Sequence, residues 1–254
     1  MLVRSRTNFL AGILLMCLLT VASYASDGNT KRQEMLHTSV YVSTETMDGS
    51  GTVIGKTATE MNGVFRYLVL TNEHILKGRF VPDPKSPSKR VDKGCAVWTF
   101  NHADMSYESY PASIVAENTE VDIALLAFNS SEVLSVATFA TQEILDAISV
   151  FDEVFAIGCN LMDDFPGPTV GIVSLIYTEQ MGETKVDIYS NTAQIIPGAS
   201  SGGLFKKHEG HYYLIGIPFR LEVLDSTQLV PHLAEAISIS AVKNLIHRNA
   251  VILP

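Results

Sequence analysis

Cysteine is scarce in this sequence. The 254 residues include three cysteines, and Cys17 lies in the hydrophobic N-terminal segment described below. At most one disulfide is therefore expected in the remainder, between Cys95 and Cys159, and their spacing does not decide whether it forms. We favour two unpaired thiols, buried as small apolar residues. The hydrophobic core, and not a set of disulfides, is expected to supply most of the stability.

Basic charge is also in deficit. Lys and Arg number 18 against 27 Asp and Glu, which gives a formal net charge of -9. A chain of this charge repels phosphate backbones and offers no basic stripe, so nucleic acid is not an expected partner. A composition of 46% hydrophobic and 18% charged residues excludes disorder, collagen and coiled coil. The length provides core material for one large or two small packed units.

Long hydrophobic runs are absent after the N-terminus. The run Phe9–Val21 follows Arg4 and Arg6 and precedes a small-residue site that ends at Ala25. This pattern is typical of a secretory signal peptide and is short for crossing a bilayer. We predict a signal peptide over residues 1–25, with an uncleaved N-terminal anchor as the alternative. The mature chain is expected to be exported, to a periplasm or outside the cell, with no membrane contact after cleavage.

The rest of the sequence contains a series of short β-branched and aromatic runs with turn residues between them. Such spacing predicts an all-β sandwich or a pair of barrels. The proline-rich residues 82–88 are predicted to form a loop, residues 144–150 lie near a seam between two halves, and Ser240 is predicted to cap a short C-terminal helix. The candidate strands are Ser39–Ser43, Gly51–Ile54, Phe65–Leu70, Ala96–Phe100, Ile123–Phe128, Glu153–Ile157, Thr169–Ser174, Asp187–Ser190 and Tyr212–Ile217.

Two polar residues stand at the ends of apolar strands. His74 follows the run that ends at Leu70, and Asp122 opens the strand Ile123–Phe128. An imidazole anchored in this way can act as a general base, and a carboxylate can accept its other N–H and fix its tautomer. Taken singly, a structural histidine and a strand-capping aspartate are the more common explanations.

A third segment, residues 196–205, places two serines among glycines between two predicted strands. Backbone N–H groups can converge on one point in a tight loop of this composition, as an oxyanion hole requires. A flexible Gly/Ser hairpin has the same composition. The order of His74, Asp122 and Ser200, with separations of 48 and 78 residues (122 − 74 and 200 − 122), favours a catalytic triad.

Around these residues the chain resembles the trypsin-like serine proteases of the chymotrypsin fold, and within them the HtrA (Deg) type. The matching motifs, spread over residues 39–249, include Gly49–Ile54, Leu70–His74, Asp122–Leu126, Ala156–Gly158, Thr169–Ser174 and Thr192–Ser200. The resemblance implies an all-β fold of two six-stranded antiparallel barrels and a short C-terminal helix. Within a peptidase domain over 26–254, it places the N-terminal barrel at 39–143, the C-terminal barrel at 144–225, and an extension with the helix at 226–254.

The resemblance also implies an activity, that of an exported serine endopeptidase which acts on proteins or peptides through a covalent acyl-enzyme. His74 would be the general base, Asp122 its orienting carboxylate and Ser200 the nucleophile. The N–H groups of Gly198 and Ser200 would form the oxyanion hole. No cofactor is implied.

One departure from the family pattern concerns the nucleophile. The family has glycine after the nucleophilic serine, whereas this chain has Ser201. A gapped alignment would make Ser201 the nucleophile and would put Ala199 in the place of the oxyanion glycine. We favour Ser200, because it keeps Gly198 and the upstream spacing of the motif.

Specificity is predicted from the segments that border the nucleophile loop. They contain no acidic residue to hold a basic side chain, so we expect a small or aliphatic P1 residue. Arg220 is a further candidate that could narrow or charge the pocket, and a surface arginine at a strand end is the alternative. The predicted substrate-binding residues are Gln194, Ile195, Ile215, Gly216 and Ile217.

Further modules and metal sites are not expected. His208 and His211 have an i, i+3 spacing in a predicted hairpin, not the helical spacing of a zinc protease. No PDZ domain is expected, because the sequence ends at Pro254. A catalytically inactive protease-like domain that binds peptides or a partner protein, and an unrelated exported β-sandwich, stay as alternatives. The oligomeric state and the natural substrate are left open.

Overall fold

The computed structural model describes residues 27–57, 63–159, 165–195, 198–224, 228–249 and 251. The predicted signal peptide lies outside them. The described residues are mostly strands, as the all-β prediction requires, and they form two closed six-stranded barrels. No helix in this part of the chain is long and apolar enough to cross a membrane.

The first barrel follows a short N-terminal helical stretch, α1 (27–34), and a 3-10 turn at Leu36–Thr38. The strands are β1 (Ser39–Ser43), β2 (Asp48–Lys56), β3 (Phe65–Thr71), β4 (Phe80–Asp83), β5 (Ser86–Asp92), β6 (Cys95–Asn101), β7 (Ser106–Asn118) and β8 (Ile123–Ser130), with α2 (Glu73–Leu76) and a 3-10 turn (Lys77–Arg79) after β3. The barrel closes in the order β1-β2-β3-β8-β7-β6, while β4 and β5 pair separately.

The pairing of β3 with β8 positions the later site. The two strands are antiparallel, with Leu70 opposite Leu125 and Thr71 opposite Ala124. The C-terminal end of β3 therefore lies beside the N-terminal end of β8. Residues that follow β3 and residues that precede β8 meet at one edge of the barrel.

The second barrel follows a connection over residues 131–152 that contains α3 (Gln142–Asp146). The strands of this barrel are β9 (Glu153–Cys159), β10 (Pro166–Met181), β11 (Thr184–Asn191), β12 (Gly203–His208), β13 (His211–Leu224) and β14 (Gln228–Ser238), and α4 (Ile239–Arg248) follows. The barrel closes in the order β10-β11-β14-β13-β12-β9.

Three details differ from the sequence predictions. The second barrel includes β14 as its sixth strand, although this strand lies beyond residue 225, where the C-terminal barrel was predicted to end. The strand β14 pairs with both β11 and β13 and so closes the barrel. The predicted loop at 82–88 contributes to the β4 and β5 pair, where proline is tolerated because the strands are edges. The cap of α4 is Ser238, whose hydroxyl accepts the N–H of Ser240 at 3.4 Å.

Two hydrophobic clusters hold the barrels. One fills the first barrel around Tyr67 and Val69. The other fills the second barrel and reaches across to Leu70 and Leu125 of the first. Because both barrels share this second cluster, the cleft between them is formed by two packed bodies whose separation is set by side-chain contacts.

Both cysteines of the described region are free thiols, as favoured above. Cys159 is buried, and this burial raises the pKa of its thiol to about 12. Burial also raises the pKa of the half-buried Cys95. A thiol must ionise to act as a nucleophile, so neither cysteine is suited to that role at neutral pH.

A stacked histidine pair makes stability depend on pH. His37 and His102 lie with ring centroids 4.9 Å apart, and burial lowers the pKa of both. As the pH falls, these histidines are therefore protonated in the unfolded chain before they are protonated in the folded one. The free energy of unfolding should then fall as the pH drops below about 6.5. We expect His102→Gln to flatten the pH dependence of urea unfolding between pH 7 and 5. His232→Gln, at an exposed position, is the control and should leave that dependence intact. An unchanged slope in His102→Gln contradicts the prediction.

Candidate active site

His74 lies in the first turn of α2, directly after β3, and its side chain is 31% exposed. Its backbone N–H donates to Asp122 Oδ1 at 2.8 Å, and its ring Nδ1 lies 2.8 Å from Asp122 Oδ2. Both carboxylate oxygens are thus directed at one residue. An ionised carboxylate only accepts, so Nδ1 carries the proton and Nε2 is left with a lone pair. This is the tautomer that a general base needs.

Asp122 directly precedes β8 and has an unusual backbone conformation. Its φ is +56°, in the left-handed region that aspartate enters more readily than most residues. The side-chain amide of Asn72 donates to the Asp122 carbonyl at 2.8 Å. The paired ends of β3 and β8 bring His74, Asn72 and Asp122 together, although His74 and Asp122 are 48 residues apart in the chain.

The glycine and serine loop of the second barrel is attached to the first barrel by Ser50 on β2. The Ser50 hydroxyl donates to the Gly198 carbonyl at 2.7 Å and accepts the N–H of Cys159 at 2.7 Å. The Ser50 N–H donates to the Ser200 carbonyl at 3.0 Å. Gly198 has a φ of +93°, a conformation that suits glycine. From Gly198 onward the loop is therefore held against β2 by these bonds, unlike a flexible hairpin.

The two serines of the loop differ in their surroundings. Ser201 is fully buried, with a φ of +74°. Its N–H donates to the Pro218 carbonyl at 2.8 Å, and its hydroxyl donates to Asn72 Oδ1 at 2.7 Å. Ser200 is half-buried, and within the described residues its hydroxyl has no hydrogen-bond partner. The Ser201 hydroxyl is thus engaged in the interior, and the Ser200 hydroxyl is not.

Most of the predicted substrate-binding side chains lie in the core. Ile195, Ile215 and Ile217 are at most 2% exposed, and a Cβ added to Gly216 would lie 2.8 Å from the Ile237 carbonyl oxygen. The three isoleucine side chains face the interior, so these residues and Gly216 would contact a substrate through their backbone, and the assignment stays a prediction. Gln194 is exposed.

The chain directly after Ile217 contacts the nucleophile loop. The Ser201 N–H donates to the Pro218 carbonyl at 2.8 Å, so Pro218 lies beside the loop and the half-buried Phe219 follows it. The sequence contains no signal for the register of β13 against this loop.

Arg220 does not supply a free charge to a pocket. Its guanidinium forms ion pairs with Glu179 at 2.7 Å and with the buried Glu235. Hydrogen bonds to Glu179 and Glu235 raise the pKa of Arg220 above its usual range. The side chain joins strands β10, β13 and β14 on the outer side of the barrel. No group of three or more metal-binding side chains occurs in the described part of the chain.

Ser50 gives a test of loop attachment. In Ser50→Ala, the buried carbonyl of Gly198 and the N–H of Cys159 lose their partner, which should cost about 1–3 kcal/mol of unfolding free energy. Urea unfolding measures this cost. Ser113→Ala is the control, because the exposed Ser113 donates one hydroxyl bond of 3.3 Å to the Ala127 carbonyl and holds no buried group. An equal or larger loss in the control contradicts the role assigned to Ser50.

Comparison with known proteins supports this description of the fold. The family model of the trypsin-like peptidase domain matches residues 49–217. No curated protein matches the chain significantly. Among solved structures, the HtrA-type protease AlgW with a tripeptide superposes with a TM-score of 0.61 at 20% identity, over 86% of this chain and 62% of that one. A substituted form of AlgW with a tripeptide gives the same TM-score and identity, over 87% and 62%.

A third structure extends the likeness to a chain of similar length. An inactive form of Rv3671c from M. tuberculosis superposes with a TM-score of 0.61 at 16% identity, over 87% of this chain and 90% of that one. At these identities the structures show a shared fold. The present chain spans 62% of the length of the AlgW chains.

Proposed function

Because this chain belongs to the family of trypsin-like peptidase domains, we propose that it is a serine endopeptidase with Ser200 as nucleophile, His74 as general base and Asp122 as orienting carboxylate. The observation that carries the proposal is the pair of 2.8 Å contacts from His74 to the two oxygens of Asp122. They hold the ring by its backbone and by Nδ1, which leaves Nε2 for proton transfer.

The proposed reaction is acyl transfer to water. Ser200 Oγ attacks the carbonyl carbon of a peptide bond while His74 Nε2 takes the hydroxyl proton. The imidazolium then gives this proton to the leaving amine, and an acyl-enzyme is formed. Water attacks the ester in the second half of the reaction, and His74 again takes and returns a proton. Asp122 stabilises the imidazolium in both halves.

The N–H groups of Gly198 and Ser200 are proposed to bind the oxyanion. Neither N–H has a partner among the described residues. The Ala199 carbonyl accepts the Gly202 N–H at 3.3 Å. In a trans peptide the following N–H points the opposite way, so the N–H of Ser200 is directed away from Gly202. Donors fixed in this manner stabilise developing charge without reorganisation.

The substrates are proposed to be proteins or peptides with a small or aliphatic P1 residue. The segment that contacts the loop is apolar, since the half-buried Phe219 follows Pro218, whose carbonyl accepts the Ser201 N–H. Arg220, the charged residue of this segment, is paired with Glu179 and Glu235. Export to a periplasm or outside the cell remains part of the proposal, on the N-terminal signal alone.

The function is tested with a fluorophosphonate probe, which reacts only with an activated serine. We expect the protein to gain one adduct, located at Ser200 by peptide mass spectrometry, and to cleave unfolded casein. Heat-denatured protein is the control for unspecific labelling. A folded protein that takes up no probe and leaves casein intact would instead support the alternative of an inactive, peptide-binding domain.

A further inference from the structure

One buried amide side chain connects the two halves of the candidate site. Asn72 follows β3 in the first barrel and is 0% exposed. Its Nδ2 donates to the Asp122 carbonyl at 2.8 Å, and its Oδ1 accepts the hydroxyl proton of Ser201 at 2.7 Å. Asn72 and Ser201 are 129 residues apart in the chain and belong to different barrels.

Both contacts of Asn72 are to residues in a strained backbone conformation. Asp122 has a φ of +56° and Ser201 a φ of +74°, and neither is a glycine. Residues other than glycine stay in the left-handed region only when their surroundings stabilise it. For Ser201 the surroundings supply two bonds, from its N–H to Pro218 and from its hydroxyl to Asn72.

These two strained residues adjoin the reacting groups. Asp122 holds the His74 ring, and Ser201 follows the proposed nucleophile directly. A shift of either backbone moves Nε2 of His74 relative to Ser200 Oγ. Misplacement of catalytic groups by about 1 Å can lower the rate about 10²-fold. Asn72 contacts both of these residues, and so it adds to the Ser50 contacts a second connection between the barrels, next to the base and the nucleophile.

We propose that Asn72 is a positioning residue, and that its bond with the Ser201 hydroxyl keeps the His74–Asp122 pair of one barrel in register with Ser200 of the other. The inference rests on the proposed function, which it deepens. It also explains why serine is accepted at position 201: the hydroxyl that accompanies the unfavourable φ makes the connecting bond.

The first experiment measures the rate of fluorophosphonate labelling in Asn72→Ala, Ser201→Ala and the double variant. Each single change breaks the same link, so each should slow labelling about 10- to 100-fold. The double variant should be no slower than the slower single one, since coupled residues are not additive. Rates that multiply in the double variant overturn the proposal.

Ser130→Ala is the matched control. Ser130 is also a buried serine, and its hydroxyl donates to the Tyr110 hydroxyl at 3.0 Å and accepts the N–H of Glu132 at 3.0 Å. The change should lower thermal stability to a degree similar to Ser201→Ala and leave the labelling rate at the wild-type value. If Ser130→Ala slows labelling as much as Ser201→Ala does, Asn72 has only a structural role.

A second readout does not depend on catalysis. The His74 Nδ1 proton in its bond to Asp122 should give a downfield proton NMR signal, assigned by its loss in His74→Gln. We expect this signal to shift or broaden in Asn72→Ala and Ser201→Ala and to stay unchanged in Ser130→Ala. If the wild type takes up no probe, the proposed function fails while this signal still tests the positioning role. An unchanged signal in both variants overturns that role.

Discussion

Replacing Ser200 with alanine is expected to lower the turnover of unfolded casein about 10⁶-fold, by analogy with loss of the nucleophile in other triad enzymes. The Ser200 hydroxyl is half-buried and has no partner among the described residues, so its removal leaves no buried polar group unpaired. The variant should therefore keep the wild-type melting temperature. Initial rates at saturating casein, with circular dichroism of both proteins, measure the two effects.

The neighbouring serine is the control that decides the alignment. Ser201→Ala removes a hydroxyl that donates to Asn72 Oδ1, and its effect should stay at about 10- to 100-fold, which is the scale of mispositioning. The two variants differ by one position and by several powers of ten in expected rate. If Ser201→Ala is the inactive variant and Ser200→Ala retains activity, the gapped alignment is correct and the nucleophile is Ser201.

Asp122→Asn is expected to lower the acylation rate about 10⁴-fold. The carboxylate accepts two hydrogen bonds from His74, one from the backbone N–H and one from Nδ1. An asparagine has one accepting oxygen, and if this oxygen keeps the backbone N–H, its NH₂ group faces Nδ1. Nδ1 must then act as the acceptor, the proton moves to Nε2, and the ring can no longer take a proton from Ser200.

Single-turnover acylation by an activated ester measures this effect. Asp187→Asn is the control, since Asp187 is an exposed carboxylate that accepts a bond from Thr178 Oγ1 at 2.8 Å on the second barrel. Its acylation rate should equal that of the wild type. An acylation rate of Asp122→Asn within tenfold of the wild type would show that the carboxylate charge is not needed for the His74 tautomer.

Much of the fold was predictable because strands have a local signature. The run Phe65–Thr71 consists of aliphatic, aromatic or β-branched residues except for Arg66, and it forms β3 with burial on both faces. The strand β14 (Gln228–Ser238) was missed because it contains a proline and little aliphatic alternation. It becomes a strand through its pairing with β11 and β13, which is a property of barrel closure and not of its own composition.

The candidate site also has a part that the sequence predicts and a part that it does not. His74, Asp122 and Ser200 could be proposed from sequence, since each stands at a strand end or in a glycine loop that has a recognisable pattern. The predicted pocket residues on β13 could not be placed, because a strand that follows a loop has no fixed register until both are packed. The buried Ile215 and Ile217 show the consequence.

The sequence by itself determined the all-β class, the anchoring of His74 after β3 and of Asp122 before β8, and the position of the glycine and serine loop. Tertiary structure alone decided which serine hydroxyl is engaged in the interior and which residues connect the barrels. Ser50 contacts Gly198 across 148 residues, and Asn72 contacts Ser201 across 129. A hydrogen bond between such distant residues has no period and no local propensity, so it forms, and becomes visible, only when packing brings its donor and acceptor together.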